Sequence, residues 1–404
     1  MVRDRGAAPR GAAARREFDV GVIGLGGLGS AAAYWAARGG AAVVGFEQFE
    51  LGHVRGASHD HSRIIRRSYH TPEYVRLAAD AYRTWETVEH DAGERIVTRT
   101  GGIDLFPAGG SIDPSTYTES LRAEGVEHEW IGAEEIHRRW PVFAAGSIIG
   151  DDVHAIYSAD TGIVPAGRAT ATLQRLARAH GAHLRDHTAV REIVPVGGEV
   201  DVITDHGAVR CGSVIIAADA WTNRLLASLG HTLPLVVLRE QVSYFPRADL
   251  GAFQADRFPV WIWMDDPSFY GFPVYGDLTA VKAAEDCGGA EVDPDDRTFD
   301  ADPVMEQRLG TFLADLVGPG FGAPRSTTCL YTLTSDRDFV CDRLPGIPQV
   351  VVALGAAHGF KFASWFGRSL ASLAADGSPG ADLAPFSFAR PSLMVPITRD
   401  AWLV

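Results

Sequence analysis

Gly24, Gly26 and Gly29 form a Gly-x-Gly-x-x-Gly run directly after the apolar stretch Phe18–Ile23, and Glu47 follows eighteen residues beyond the last glycine. Each position has a physical task in holding a nucleotide. Gly24 permits a tight turn, Gly26 lets backbone approach a pyrophosphate, and Gly29 allows a helix to pack closely on a strand. The phosphates then meet the positive end of that helix. A carboxylate at Glu47 would accept hydrogen bonds from ribose hydroxyls and repel a 2′-phosphate, which disfavours NADP. With a strand before it and a helix after it, the run says much more than the same letters in isolation. It leaves NAD and FAD both open.

These residues need a βαβ unit to position them. The pattern predicts a strand at Phe18–Ile23, an Ala-rich helix from Ser30 to Arg38, a glycine stop at Gly39-Gly40 and a second strand from Ala41 to Phe46. Helical periodicity continues at Glu73 to His90 and at Ala166 to His180, the latter opened by Pro165. Strands are expected at 202–204, 208–210 and 214–217. Between about Leu235 and Lys282, stretches such as Gln241–Phe245 and Val260–Met264 alternate with Pro and Asp turns, as in a mixed or antiparallel sheet. A strand at Val350–Leu354, a glycine turn and a helix over 362–375 close the chain.

The expected fold class is α/β: a Rossmann-like nucleotide-binding domain assembled from separated segments (18–95, 150–230 and 325–391) plus a mixed or antiparallel-sheet substrate domain (96–149 and 231–324). Residues 1–17, rich in Arg, Ala and Gly without an apolar middle, read as a disordered extension, and 392–404 as a tail.

Composition narrows the partners. The 404 residues are 46% hydrophobic and carry a net charge of −14, with 51 acids against 37 bases. Phosphate backbones need clustered Lys and Arg, so nucleic acid is not an expected partner. No apolar run approaches the roughly 18 residues of a membrane span, and a soluble monomer or weak homo-oligomer is expected. The four cysteines are scattered with no Cys-x-x-Cys pair, which argues against zinc or a disulfide framework and for a cytoplasmic setting. In so acidic a chain, an anionic substrate needs a locally basic pocket.

The segment Gly56-Ala57-Ser58-His59-Asp60-His61-Ser62-Arg63-Ile64-Ile65-Arg66 resembles the flavin-contacting stretch of the monomeric sarcosine oxidase and N-methyl-L-tryptophan oxidase family, within the D-amino acid oxidase superfamily. The likeness resumes at Ile136 to Pro141, around Trp221, at Tyr270-Gly271-Phe272-Pro273, at Cys329-Leu330-Tyr331-Thr332 and at His358-Gly359-Phe360-Lys361-Phe362-Ala363-Ser364. It implies FAD, attached through Cys329 as a thioether at the 8α-methyl carbon. Contacts to the cofactor are implied at His59, Ser62, Val190, His358, Gly359 and Lys361. Arg66 and Lys361 match the pair that binds the substrate carboxylate, Lys282 and Arg63 match cations that promote reaction with oxygen, and Tyr270 matches a pocket residue. The implied reaction oxidises a secondary amino acid, N-methyl or cyclic, to its imine and reduces O2 to H2O2. A biosynthetic flavin dehydrogenase or imine-forming enzyme, and a non-catalytic flavin-binding protein, are the alternatives.

Each of these residues also has a plainer reading. Cys329 could be a small buried hydrophobe, as Cys211, Cys287 and Cys341 are taken to be. Arg66 could form a surface ion pair with Glu73, Lys282 could be a solvated strand-end lysine, and Tyr270 a core tyrosine. The family pattern is also broken. Asp286 stands where relatives have a pocket histidine, which counts against sarcosine itself. Asp60, Asp219 and Ala357 stand where relatives typically have glycine. Trp261, Trp263 and Trp365 could line a larger apolar pocket or simply fill the core.

Overall fold

The computed structural model describes residues 16–375, 377 and 382–395, so the expected N-terminal extension, but for Arg16 and Glu17, and the end of the tail lie outside the described residues. The βαβ unit forms as β1 (Phe18–Ile23), α1 (Gly27–Arg38) and β2 (Val43–Phe46). Helix α1 begins three residues before the expected Ser30, because Gly26 already serves as its N-cap. At its other end Gly39 stays helical at φ −75° and Gly40 takes the left-handed turn at φ +90°. Beside β2 runs His183–Arg185. On the far side of β1 come Gly207–Ile216 and then Ile347–Leu354, all parallel to β1. Strands covered on both faces read as unbroken apolar runs, which is why Val350–Leu354 was legible. Helix α1 packs against Ala166–Ala179 and Ala363–Ala375. Gly367 is what allows the latter contact, since a Cβ there would lie 2.5 Å from the Ala31 carbonyl carbon.

The second sheet has nine strands and is antiparallel except where Val260–Trp263 runs beside Gly102–Phe106. Strands His154–Ser158 and Arg325–Leu333, grouped by sequence with the nucleotide domain, hydrogen-bond into this sheet, the latter along nearly the whole of Val236–Pro246. A third, three-stranded sheet contains Arg63–Ile65. Trp261 and Trp365 are fully buried in separate clusters and Trp263 packs on Phe312, so the core reading holds for the tryptophans.

Register in the nine-stranded sheet decides which side chains meet. Tyr244 opposes Lys282, Phe272 opposes Lys282 from the other neighbour, Tyr270 opposes Ala284, Glu240 opposes Cys329 and Leu238 opposes Tyr331. Opposed residues share a face and alternate residues return to it. Lys282, Tyr270, Tyr244, Glu240, Cys329 and Tyr331 therefore stand on one face, the one that meets the 57–63 segment.

Candidate active site

A cavity opens at the glycine turn, and of the residues singled out by sequence Gly24, Gly26, Glu47, Arg63, Val190 and Gly359 line it. Gly24 has φ +88°, and a Cβ there would sit 2.5 Å from the Ala217 carbonyl oxygen. At Gly29 a Cβ would lie 1.8 Å from the Gly24 oxygen, so only glycine lets α1 close on the turn. The buried Glu47 carboxylate accepts from the amides of Leu25 at 3.0 Å and Phe49 at 3.1 Å. Burial alone would raise its pKa, but His53 and these amides outweigh that and hold it low. Ser58, which sequence reasoning quoted without giving it a role, accepts from the Gly27 amide at 2.9 Å at the start of α1. On the cavity wall, Asp219 has a buried Oδ2 without a hydrogen-bond partner among the described residues, and burial pushes its carboxyl up to about 6. A glycine cradle at a helix N-terminus, a buried carboxylate at the end of the second strand and an orphaned polar atom in the wall together fit a dinucleotide cofactor.

Lys282 is not solvated. Its buried ammonium donates to Asp60 Oδ2 at 2.6 Å, to the Ser62 carbonyl at 3.0 Å and to Ser62 Oγ at 3.1 Å, which uses all three of its protons. It lies 4.7 Å from the Phe272 ring centroid. Burial alone would raise the Asp60 carboxyl, yet Lys282 and Arg63 outweigh it and hold Asp60 ionised. Tyr244 also donates to Asp60. Burial pulls Lys282 down to about 8 against the attraction of Asp60. Asp286, four residues further on, takes Arg337 at 2.8 Å. Arg63 spans Asp60 at 3.3 Å, the Ser62 carbonyl and the Ala57 carbonyl. His59 is buried with Nε2 unpartnered among the described residues, and burial, then Arg63, pushes it down to about 4, so it is neutral.

Arg66 is 5% exposed and pairs with Asp104 at 3.1 Å, not with Glu73, which pairs with Arg76. Its guanidinium carbon and Lys361 Nζ lie 5.0 and 5.6 Å from the same Tyr69 ring centroid, so residues almost 300 apart in sequence do converge. Lys361 Nζ has no ion-pair partner among the described residues, and desolvation followed by Arg66 pulls it down to about 7. His358 Nε2 lies 3.0 Å from the Arg337 carbonyl, and burial holds the imidazole neutral. Asp104 and Arg337 were missed by sequence reasoning, since neither lies in a recognised block.

Cys329 is 4% exposed, one residue before the cavity-lining Leu330, and burial pushes its thiol up to about 11 against Arg63. Tyr270 and Tyr331 share a hydrogen bond at 3.3 Å. The three positions where the family resemblance led us to expect glycine, Asp60, Asp219 and Ala357, have φ of +87°, +45° and +71°. Glycine adopts such left-handed backbone freely, whereas for other residues the strain costs of order 1–3 kcal/mol.

A glycine cradle at a helix N-terminus, facing a sheet whose buried cations flank a second, basic corner, fits the class of dinucleotide-dependent oxidoreductases. More narrowly, the chain belongs to the FAD dependent oxidoreductase family, whose model matches residues 19–373. It is 31% identical to the monomeric sarcosine oxidase of Bacillus sp. (strain NS-129) over 93% of this chain and 97% of the relative. It is 29% identical to the N-methyl-L-tryptophan oxidase of Yersinia pestis (strain Pestoides F), over 93% of this chain and 99% of the relative. Among solved structures, NikD, an unusual amino acid oxidase essential for nikkomycin biosynthesis, superposes with a TM-score of 0.82 at 27% identity, covering 92% of this chain and 98% of that one.

Proposed function

We propose that the protein oxidises a secondary amino acid, N-methyl or cyclic, to its imine with FAD, and that O2 is reduced to H2O2. The observation that carries this reading is the convergence of Arg66 and Lys361 on Tyr69 with, among the described residues, an ion-pair partner for Arg66 alone. Arg66 with Asp104 and Arg337 with Asp286 are each neutral pairs, which leaves the Lys361 charge to offset one carboxylate. A substrate ammonium would bring an uncompensated charge into the same desolvated corner, so the amine binds neutral and needs no protein base. Held by its carboxylate, the substrate is fixed in orientation, with the Tyr270–Tyr331 pair as a further candidate wall. FAD, held by Gly24, Gly26, Glu47, Val190 and Gly359 and bonded to Cys329, would supply the acceptor for the hydride equivalent. Lys282 and Arg63 place net positive charge where oxygen gains electrons, since Asp60 offsets only one of them.

The biosynthetic dehydrogenase reading is favoured by one observation, the saturation of Lys282 by Asp60 and Ser62. Anaerobic screening of N-methyl and cyclic amino acids for loss of flavin absorbance tests the substrate class. Oxygen uptake with the same compounds separates oxidase from dehydrogenase, and no bleaching by any of them refutes the proposal.

A further inference from the structure

Glu240 is an acid that the proposed reaction does not use. It lies within strand Val236–Pro246 at 2% exposure. Its Oε1 accepts from the Gly289 amide at 3.2 Å, whereas Oε2, also buried, has no hydrogen-bond partner among the described residues. An orphaned carboxyl oxygen in a sheet is costly. Antiparallel register sets Glu240 directly across from Cys329, and directly opposed residues project from one face with Cβ atoms about 4.5–5.5 Å apart. Burial, aided by Asp286, pushes the Glu240 carboxyl up to about 8, so its carboxylate is the minority form at neutral pH but a far stronger base than an ordinary carboxylate. Burial also keeps the Cys329 thiol protonated near neutral pH, because it outweighs the pull of Arg63. Sulfur becomes a strong nucleophile only as thiolate, so attachment of a flavin there requires a proton acceptor beside it.

We propose that Glu240 is that acceptor: its carboxylate takes the Cys329 thiol proton as the sulfur bonds to the 8α-methyl carbon of the flavin. The inference rests on the Cys329 attachment proposed above. One C–S bond forms, the S–H bond and one methyl C–H bond break, and the flavin ring takes up the electron pair with two protons. Glu240 hands the thiol proton on to the reduced ring and returns to its starting state, and dioxygen then removes both electrons and both protons as hydrogen peroxide.

The test uses apoprotein of the full chain made under riboflavin limitation and mixed with FAD in air. Covalent flavin is counted over time from the colour retained by acid-precipitated protein, and reversible FAD binding is followed by fluorescence quenching. Wild type should attach its flavin. Glu240→Gln should bind FAD yet attach it at least about tenfold more slowly, at the low end of what a general base contributes. Glu240→Met, which removes the carboxyl and its desolvation cost together, should behave likewise and keeps the test open if the glutamine variant folds poorly. Attachment at the wild-type rate in either FAD-binding variant overturns the role of Glu240 alone. Release of the flavin from acid-precipitated wild type overturns the Cys329 attachment itself, and this inference with it.

Discussion

Lys361 offers the sharpest test of the carboxylate corner, because its charge can be removed by mutation or by pH and the two must agree. Its pKa is pulled down to about 7 by desolvation and by Arg66. Only the ammonium attracts a carboxylate, so affinity is full below pH 7 and falls above it. Without a limit, the fall would approach tenfold per pH unit. The limit is the strength of the contact: a charge-assisted hydrogen bond contributes about 1.5–3 kcal/mol, or roughly ten- to a hundredfold in affinity. Lys361→Met should therefore weaken binding by that factor at pH 6. At pH 9 it should change little, since wild type has by then lost the same charge. The assay is titration of flavin absorbance with a carboxylate analogue that lacks an amine, so that the ligand does not titrate over the range. A wild-type Kd that is flat from pH 6 to 9, or a Lys361→Met variant that keeps the wild-type rise, would refute the reasoning.

Arg66→Ala should behave differently from Lys361→Met, because it strands the buried Asp104 carboxylate: a loss of about 3–5 kcal/mol in stability, read from urea unfolding, should accompany the loss of substrate affinity. Lys282→Met should slow reoxidation of the flavin by oxygen more than its anaerobic reduction by substrate, in stopped-flow traces of the two half-reactions; equal slowing would indicate general damage, and unchanged reoxidation would dismiss the lysine. Acid-precipitated wild type should stay yellow, while Cys329→Ala should release its flavin to the supernatant. Ala357→Gly should stabilise the protein by about 1 kcal/mol in the same urea assay by relieving a left-handed alanine, and a destabilised variant would show that φ +71° carries no strain there.

The glycine turn was legible in the sequence because its logic is local: a strand, a turn that only glycine can make and a helix follow one another between Phe18 and Arg38, and Glu47 comes at the end of the next strand. The apolar runs of the parallel sheet were legible for the same reason, being buried on both faces. Block order carried the family, and with it Arg66, Lys361, Lys282 and Cys329. Which acid answers which base was not legible. Sequence offered Glu73 as a partner for Arg66 and none for Lys282, yet Asp104 and Asp60 hold those places, and Asp286, four residues from Lys282, goes to Arg337. Nor did sequence reveal that Glu240 faces Cys329, since that depends on the register between strands some 90 residues apart. Coulomb attraction acts through space and strengthens as the surroundings dry. Proximity along the chain therefore cannot choose a partner, and the choice waits until strand register and burial have set the distances.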